Sequence, residues 1–154
     1  MIREARPDEA ETLAAIQRDA SLAALAHIFP PERYPFPLDA VRERWREALG
    51  DREVAVLVAD EDGAAVGVAG CRTEWLDGLY VLPAAWGQGI GRELHDRVLD
   101  RLREEGSTRC NLWVLEHNGR ARRFYERLGW RESGTTRVVP FPPNPIDVGY
   151  SIEL

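Results

Sequence analysis

Apolar residues along the chain recur with two periods, and each period predicts a different element. Spacings of three and four mark helices. They join Leu13, Ile16 and Ala20, then run from Ile90 through Leu94, Val98, Leu99 and Leu102, then join Ala121, Phe124 and Leu128. Asp8, with Glu11 three residues on, predicts the N-cap of the first of these helices. Leu38 to Leu49 predicts a further helix ended by Gly50, and Gly106 and Gly129 stop the later two. Shorter apolar or alternating runs predict strands: "MIREAR", two around the turn "DEDG", then "LDGLYVL" and "RCNLWVLE". "IDVGYSIEL" alternates Ile146, Val148, Tyr150, Ile152 and Leu154, which predicts a half-exposed strand. Residues 28 to 37 hold four prolines and read as a loop rich in aromatics.

The predicted order is β-α-α-β-β-β-α-β-α-β-β. A strand, a glycine loop, a long helix and another strand form a β-α-β crossover, which makes two strands parallel. The remaining connections are hairpin-like. The expectation is one domain, residues 1–154, of α/β (α+β) class, with a mixed sheet covered by helices on both faces. There is no internal repeat.

Composition narrows the class. Hydrophobic residues are 44% and charged residues 30%, an ordinary globular balance. The longest clean apolar run, "VAVLVA", is far too short to cross a membrane, and the polar, acidic start resembles neither a signal nor a transit peptide. Cys71 and Cys110 each sit in an apolar run, so buried free thiols and a cytoplasmic location are expected. A formal net charge of −6 argues against a nucleic-acid partner and is compatible with a cationic substrate. Three scattered histidines offer no metal site. His95 reads as a surface residue, His117 as a turn residue or one near a cleft, and His27 as facing an acceptor site.

Candidate chemistry begins at "YVLPAAWGQGIGREL", Tyr80 to Leu94, where Gly87, Gly89 and Gly91 lie between a strand and a helix. Free N–H groups and a positive dipole end make such a junction suited to phosphate. The dinucleotide fingerprint needs glycine at 92 or 94, where the chain has Arg92 and Leu94. The triphosphate loop needs Gly-Lys-Ser/Thr, which is absent. Close strand-to-helix packing without a ligand would use the same spacing. Downstream, "NGRARRFYERLGW" offers Asn118 as an N-cap and Tyr125 as a proton donor. Its arginines, Arg120, Arg122 and Arg123, suit either a solvated face or phosphates.

Together, "LYVLPAAWGQGIGRELHDRVL" and "NGRARRFYERLGW" resemble the GCN5-related N-acetyltransferase (GNAT) superfamily. The resemblance implies a mostly antiparallel sheet of six or seven strands, about four flanking helices, and a V-shaped splay between two central parallel strands. It implies that Trp86, Gly87, Gln88, Gly89, Ile90, Gly91 and Arg92 bind the pyrophosphate of acetyl-CoA through backbone N–H groups. Leu79, Tyr80 and Val81 would pair with the pantetheine arm and supply an oxyanion donor near Val81. Asn118 and Arg122 would contact the cofactor, and Tyr125 would protonate the leaving thiolate. Where the family usually carries Arg or Gln, this chain has Trp86. The base is expected to be a carboxylate preceding the cofactor strand, Glu74 or Asp77, or else water, with Glu74 preferred because "CRTEW" continues a strand toward the site.

The implied function is direct acetyl transfer from acetyl-CoA, with no metal, to a primary amine of a small molecule or peptide. The alternative is a non-catalytic acyl-CoA-sensing module. No nucleic-acid or membrane partner is expected; a homodimer is compatible with the family's habits. The segments "HIFPPERYPFP" and "RVVPFPPNPID" would shape acceptor choice, with Tyr34, Phe36, Trp45 and Phe141 as acceptor walls or as packing residues.

Overall fold

A computed structural model describes residues 1–154. Its strands are β1 (Ile2–Glu4), β2 (Ala55–Glu61), β3 (Ala64–Arg72), β4 (Trp75–Val81), β5 (Arg109–Leu115), β6 (Arg131–Val138) and β7 (Ile146–Glu153). Its helices are α1 (Ala10–Leu25), α2 (Leu38–Gly50), α3 (Ile90–Glu104) and α4 (Gly119–Arg127). The strands form one sheet in the order β1-β2-β3-β4-β5-β7-β6. Every neighbouring pair is antiparallel except β4 and β5. This is the predicted element order and sheet class. No helix is long and apolar enough to cross a membrane.

The two helical layers bury separate cores. Leu13 and Ile16 of α1 and Val41 and Trp45 of α2 close over Val56, Val58 and Val68 on one face of the sheet. Leu94, Val98, Leu99 and Leu102 of α3 join Tyr125, Trp130, Leu112 and Tyr150 on the other. Each such side chain contributes about 1.5–3 kcal/mol on burial, so the amphipathic stripes decide which face each helix takes. Cys71 and Cys110 lie in the second core as free thiols. Burial pushes their pKa values up to about 11 and about 12.

Local signals held where the chain's own backbone geometry demanded them. Asp62 and Gly63 both have positive φ and close the β2–β3 hairpin. Asn118 Oδ1 accepts the Ala121 N–H at 3.2 Å and caps α4.

Other expectations need correction. Asp8 does not cap α1: Glu9 holds that position, and its carboxylate is drawn instead to the Arg6 N–H (2.7 Å) and the Arg3 guanidinium (2.6 Å). Gly50 stays helical, and extended Asp51 ends α2. Trp75 belongs to β4, because Thr73 and Glu74 form a tight turn with Glu74 at φ 63°. β7 is not half-exposed. Asp147, Val148, Gly149 and Tyr150 are buried in succession, since β7 lies between β5 and β6, and Ser133 and Thr135 of β6 cover Gly149.

His95 is the largest departure: it is 2% exposed. Trp130 Nε1 donates to His95 Nε2 at 2.9 Å, and His95 Nδ1 faces Asp96 Oδ1 at 2.8 Å. Both ring nitrogens are thereby used by the neutral imidazole, with Nδ1–H donating to Asp96. The ring also meets Phe124 edge-on. The flank of α3 that reads as polar faces Phe124 and Trp130 rather than water.

Candidate active site

The parallel strands β4 and β5 are paired only at Trp75↔Asn111. Asn111 fastens that point, its N–H and Nδ2 both donating to the Glu74 carbonyl at 2.8 and 3.1 Å. Past it the strands part. On the β3 side the ladder stays regular, with Val68↔Tyr80 and Gly67↔Val81, and Leu82 N–H donates to Val66 O. Antiparallel pairs alternate between bonded and non-bonded, so Leu79 and Val81 direct their main-chain groups away from β3. The splay therefore exposes a strand edge in the middle of a sheet.

A cleft of about 700 Å3 adjoins that edge. Its walls are the C-terminal half of α1, the end of β4, the glycine loop and α4. Gly87 and Gly89 have φ of 77° and 84°, the left-handed region that disfavours any side chain. A Cβ at either would meet no protein atom within 4 Å, so packing does not account for their bareness. Gly91 is different: it lies in the first turn of α3, and a Cβ there would stand 3.6 Å from the Phe124 ring, an ordinary contact. The first-turn N–H groups of α3 have no acceptor within the helix and add its positive dipole end to the loop.

Charge is sharply sorted. The chain has twenty cationic side chains besides histidine, all arginine, against 26 acidic ones. Yet four arginines, Arg92, Arg120, Arg123 and Arg127, line the cleft, and no Asp or Glu does. Arg122 is not among them. Its guanidinium donates to the Tyr150 hydroxyl (2.9 Å) and the Glu116 carbonyl (2.9 Å) and pairs with Glu132. Which arginines face the cleft was readable from spacing: 120, 123 and 127 share one side of a helix, and 122 lies off it. Gln88 also stays out of the cleft lining, its amide reaching the Ala84 carbonyl at 3.4 Å.

Trp86 has a definite place. Its indole N–H donates to the Val81 carbonyl at 2.7 Å, and the Arg120 guanidinium lies over its ring, 3.4 Å from the centroid.

Tyr125, Tyr80 and Asn118 all line the cleft. Tyr125 is 8% exposed, wedged edge-on against Phe124 and Trp130. Burial pushes its phenol above the usual range, with Tyr80 adding to the effect, so it carries its proton through neutral pH. Glu74 is not brought to the cleft: it occupies the β3–β4 turn, behind the single β4–β5 pairing. Asp77 lies beyond that pairing, but it is exposed and does not line the cleft either. The β3–β4 register shifts between Gly70↔Gly78 and Cys71↔Leu76, which leaves Asp77 as an unpaired bulge residue. Partial desolvation raises its pKa against the opposing pull of Arg72, whose Nε donates to it at 3.1 Å.

His27 and His117 meet: the His27 ring Nε2 bonds the His117 carbonyl at 2.8 Å, tying the turn after α1 to the loop before Asn118. Of the aromatic candidates, Trp45 is core, its N–H on Gln17 at 2.9 Å. Phe141 is half exposed and tilts against Phe29.

A sheet opened between two parallel strands, beside a glycine loop at a helix start, is the arrangement that the sequence resemblance implied. The family model for the Acetyltransferase (GNAT) family matches residues 20–130. The chain belongs to that family, and it is an acetyltransferase. It is 32% identical over 145 residues to a peptidyl-lysine N-acetyltransferase of Salmonella typhimurium, covering 92% of each chain. A mycothiol acetyltransferase of Beutenbergia cavernae is 38% identical over 116 residues, 71% of this chain but only 39% of that protein. Among solved structures, the PaiA N-acetyltransferase from Thermoplasma acidophilum, in complex with coenzyme A, superposes with a TM-score of 0.76. That match is at 19% identity and covers 97% of this chain and 96% of the other.

Proposed function

We propose that this chain, as one domain, transfers the acetyl group of acetyl-CoA directly to a primary amine of a small molecule or peptide. The observation that carries the reading is the cleft itself. In a chain of net charge −6 it gathers four arginines, no carboxylate and two left-handed glycines beside an open strand edge. A ligand with several phosphates and an extended, amide-bearing arm fits that combination, and coenzyme A has both parts.

The residues divide the work. The main chain of Gly87 to Arg92 receives the pyrophosphate at the start of α3. Leu79 and the Val81 N–H receive the arm on the open edge, the Val81 carbonyl being held by Trp86, and a β4 N–H donates to the thioester oxygen as charge grows there. Asn118 orients the arm near the sulfur. When bound, the thioester supplies the acyl group: the amine nitrogen forms the C–N bond as the C–S bond breaks. Tyr125 gives its proton to the departing sulfur, the new amide nitrogen sheds its extra proton to solvent, and Tyr125 regains one from solvent.

The amine must shed its proton before attack. For that step we favour Asp77 over Glu74, reached through water because it lies outside the cleft lining, since it stands in β4 where the strands part and its raised pKa makes it a stronger base. The acceptor does not follow from likeness, since the relatives' names point to different ones. A panel of amines incubated with acetyl-CoA, followed by thiol release, tests the reading. A hit names the acceptor class; tight coenzyme A binding with silence across all amines supports the sensing module instead.

A further inference from the structure

Four guanidiniums line the cleft, but they are not equivalent. Arg92 reaches Asp96 at 3.8 Å. Arg120 has no carboxylate partner, and its charge lies over the face of Trp86. At 3.4 Å from the ring centroid, a planar guanidinium lies face to face with the indole. That geometry satisfies the π face of the cation and leaves its N–H edge free to donate to a planar pair of oxygens. Burial lowers the Arg120 pKa, the sign of a charge partly stripped of water and not neutralised by an anion.

Trp86 is itself fixed. Its N–H is tied to Val81 O, and its ring packs on the core of the α3 face. It immediately precedes Gly87. Arg120, in the first turn of α4, is therefore held over the start of the glycine loop. Arg123 and Arg127 follow along α4, the latter about 10 Å further on by helical rise.

We propose that Arg120 is a binding residue for the pyrophosphate of coenzyme A, and that Trp86 positions it by stacking; this rests on the acetyl-CoA reading above. The loop's main chain then grips the diphosphate from one side and Arg120 from the other, while Arg123 and Arg127 remain for the rest of the nucleotide.

Calorimetric titration with coenzyme A, 3′-dephospho-coenzyme A and pantetheine separates the possibilities. Arg120→Ala is expected to raise Kd about tenfold to a hundredfold for the first two ligands, by the same factor, and to leave pantetheine unchanged. Arg120→Lys recovers part of the loss, keeping charge but not the stacked fork. Trp86→Leu shows the same ligand pattern more weakly, and adding it to Arg120→Ala costs nothing further, because Trp86 acts through Arg120. Alanine favours helix, so Arg120→Ala retains the fold, which thermal unfolding checks. A loss for coenzyme A alone makes the 3′-phosphate the partner and overturns the proposal. An equal loss for all three ligands reduces Arg120 to a structural residue, and no loss removes its role; either overturns it. If the unmodified chain binds none of the three, the coenzyme A reading itself fails, and this inference with it.

Discussion

Gly89→Ala separates what the fold needs from what the site needs. Gly89 sits at φ 84°, where a Cβ costs roughly 1–2 kcal/mol. No protein atom lies within 4 Å of that Cβ, so strain is the whole cost to the free chain. At roughly 2–4 °C per kcal/mol for a chain of this size, Tm should fall about 2–8 °C. Gly63, at the tip of the β2–β3 hairpin, is a matched control: φ is 80°, and its Cβ would also meet nothing. Gly63→Ala should therefore lower Tm by a similar amount. Binding should diverge. A methyl in the loop keeps a phosphate off the N–H groups, and two lost charge-assisted hydrogen bonds, about 3–6 kcal/mol, weaken coenzyme A more than about a hundredfold. Gly63→Ala should bind as the unmodified chain does. The measurement is calorimetric titration beside thermal unfolding on both variants. Equal affinities in the two variants would refute the assignment of this loop to phosphate.

Other outcomes follow from the same geometry. Tyr125→Phe keeps the ring between Phe124 and Trp130, so coenzyme A affinity should hold within about twofold while kcat falls about a hundredfold or more. Asp77→Asn should lower kcat/KM and remove the acidic limb of its pH profile. That limb should lie above the ordinary carboxylate range because the Asp77 pKa is raised; Glu74→Gln should change neither. Burial depresses the His95 pKa in the fold, so the unfolded chain binds its proton first as pH falls. The stability from neutral His95 is present above about pH 6.5, the unfolded value, and drains away below it. Urea midpoints at pH 8, 6.5 and 5 should show this fall, and His95→Gln should flatten it.

The parts of the molecule legible in the sequence were those decided within a few residues. The Asn118 cap, the Asp62–Gly63 turn and the stripe of α3 each depend on neighbours along the chain, and each formed where the pattern put it. What escaped reading depends on neighbours across the fold. His95 looks polar beside Asp96, yet Trp130, 35 residues on, supplies its burial and its hydrogen bond. The bulge at Asp77 arises from the β3–β4 register, and "CRTEW" read as one continuing strand hides the turn that carries Glu74 away. Arg122 and Arg120 differ by two positions and point to different sides of α4, a phase that the 120–123–127 spacing encodes but a cluster of arginines conceals. Trp86 was opaque for a related reason, since its stacking partner lies 34 residues downstream.

The exclusive use of arginine reaches beyond the cleft. A lysine ε-amine is a substrate for acyl transfer; a guanidinium, protonated at every physiological pH, is not a competent nucleophile. With no lysine among its twenty basic side chains, this catalyst offers no side-chain amine to its own donor. It can stand among activated acetyl groups without marking its side chains, so acetyl carried by lysine residues in a reaction mixture belongs to the acceptor and not to this chain.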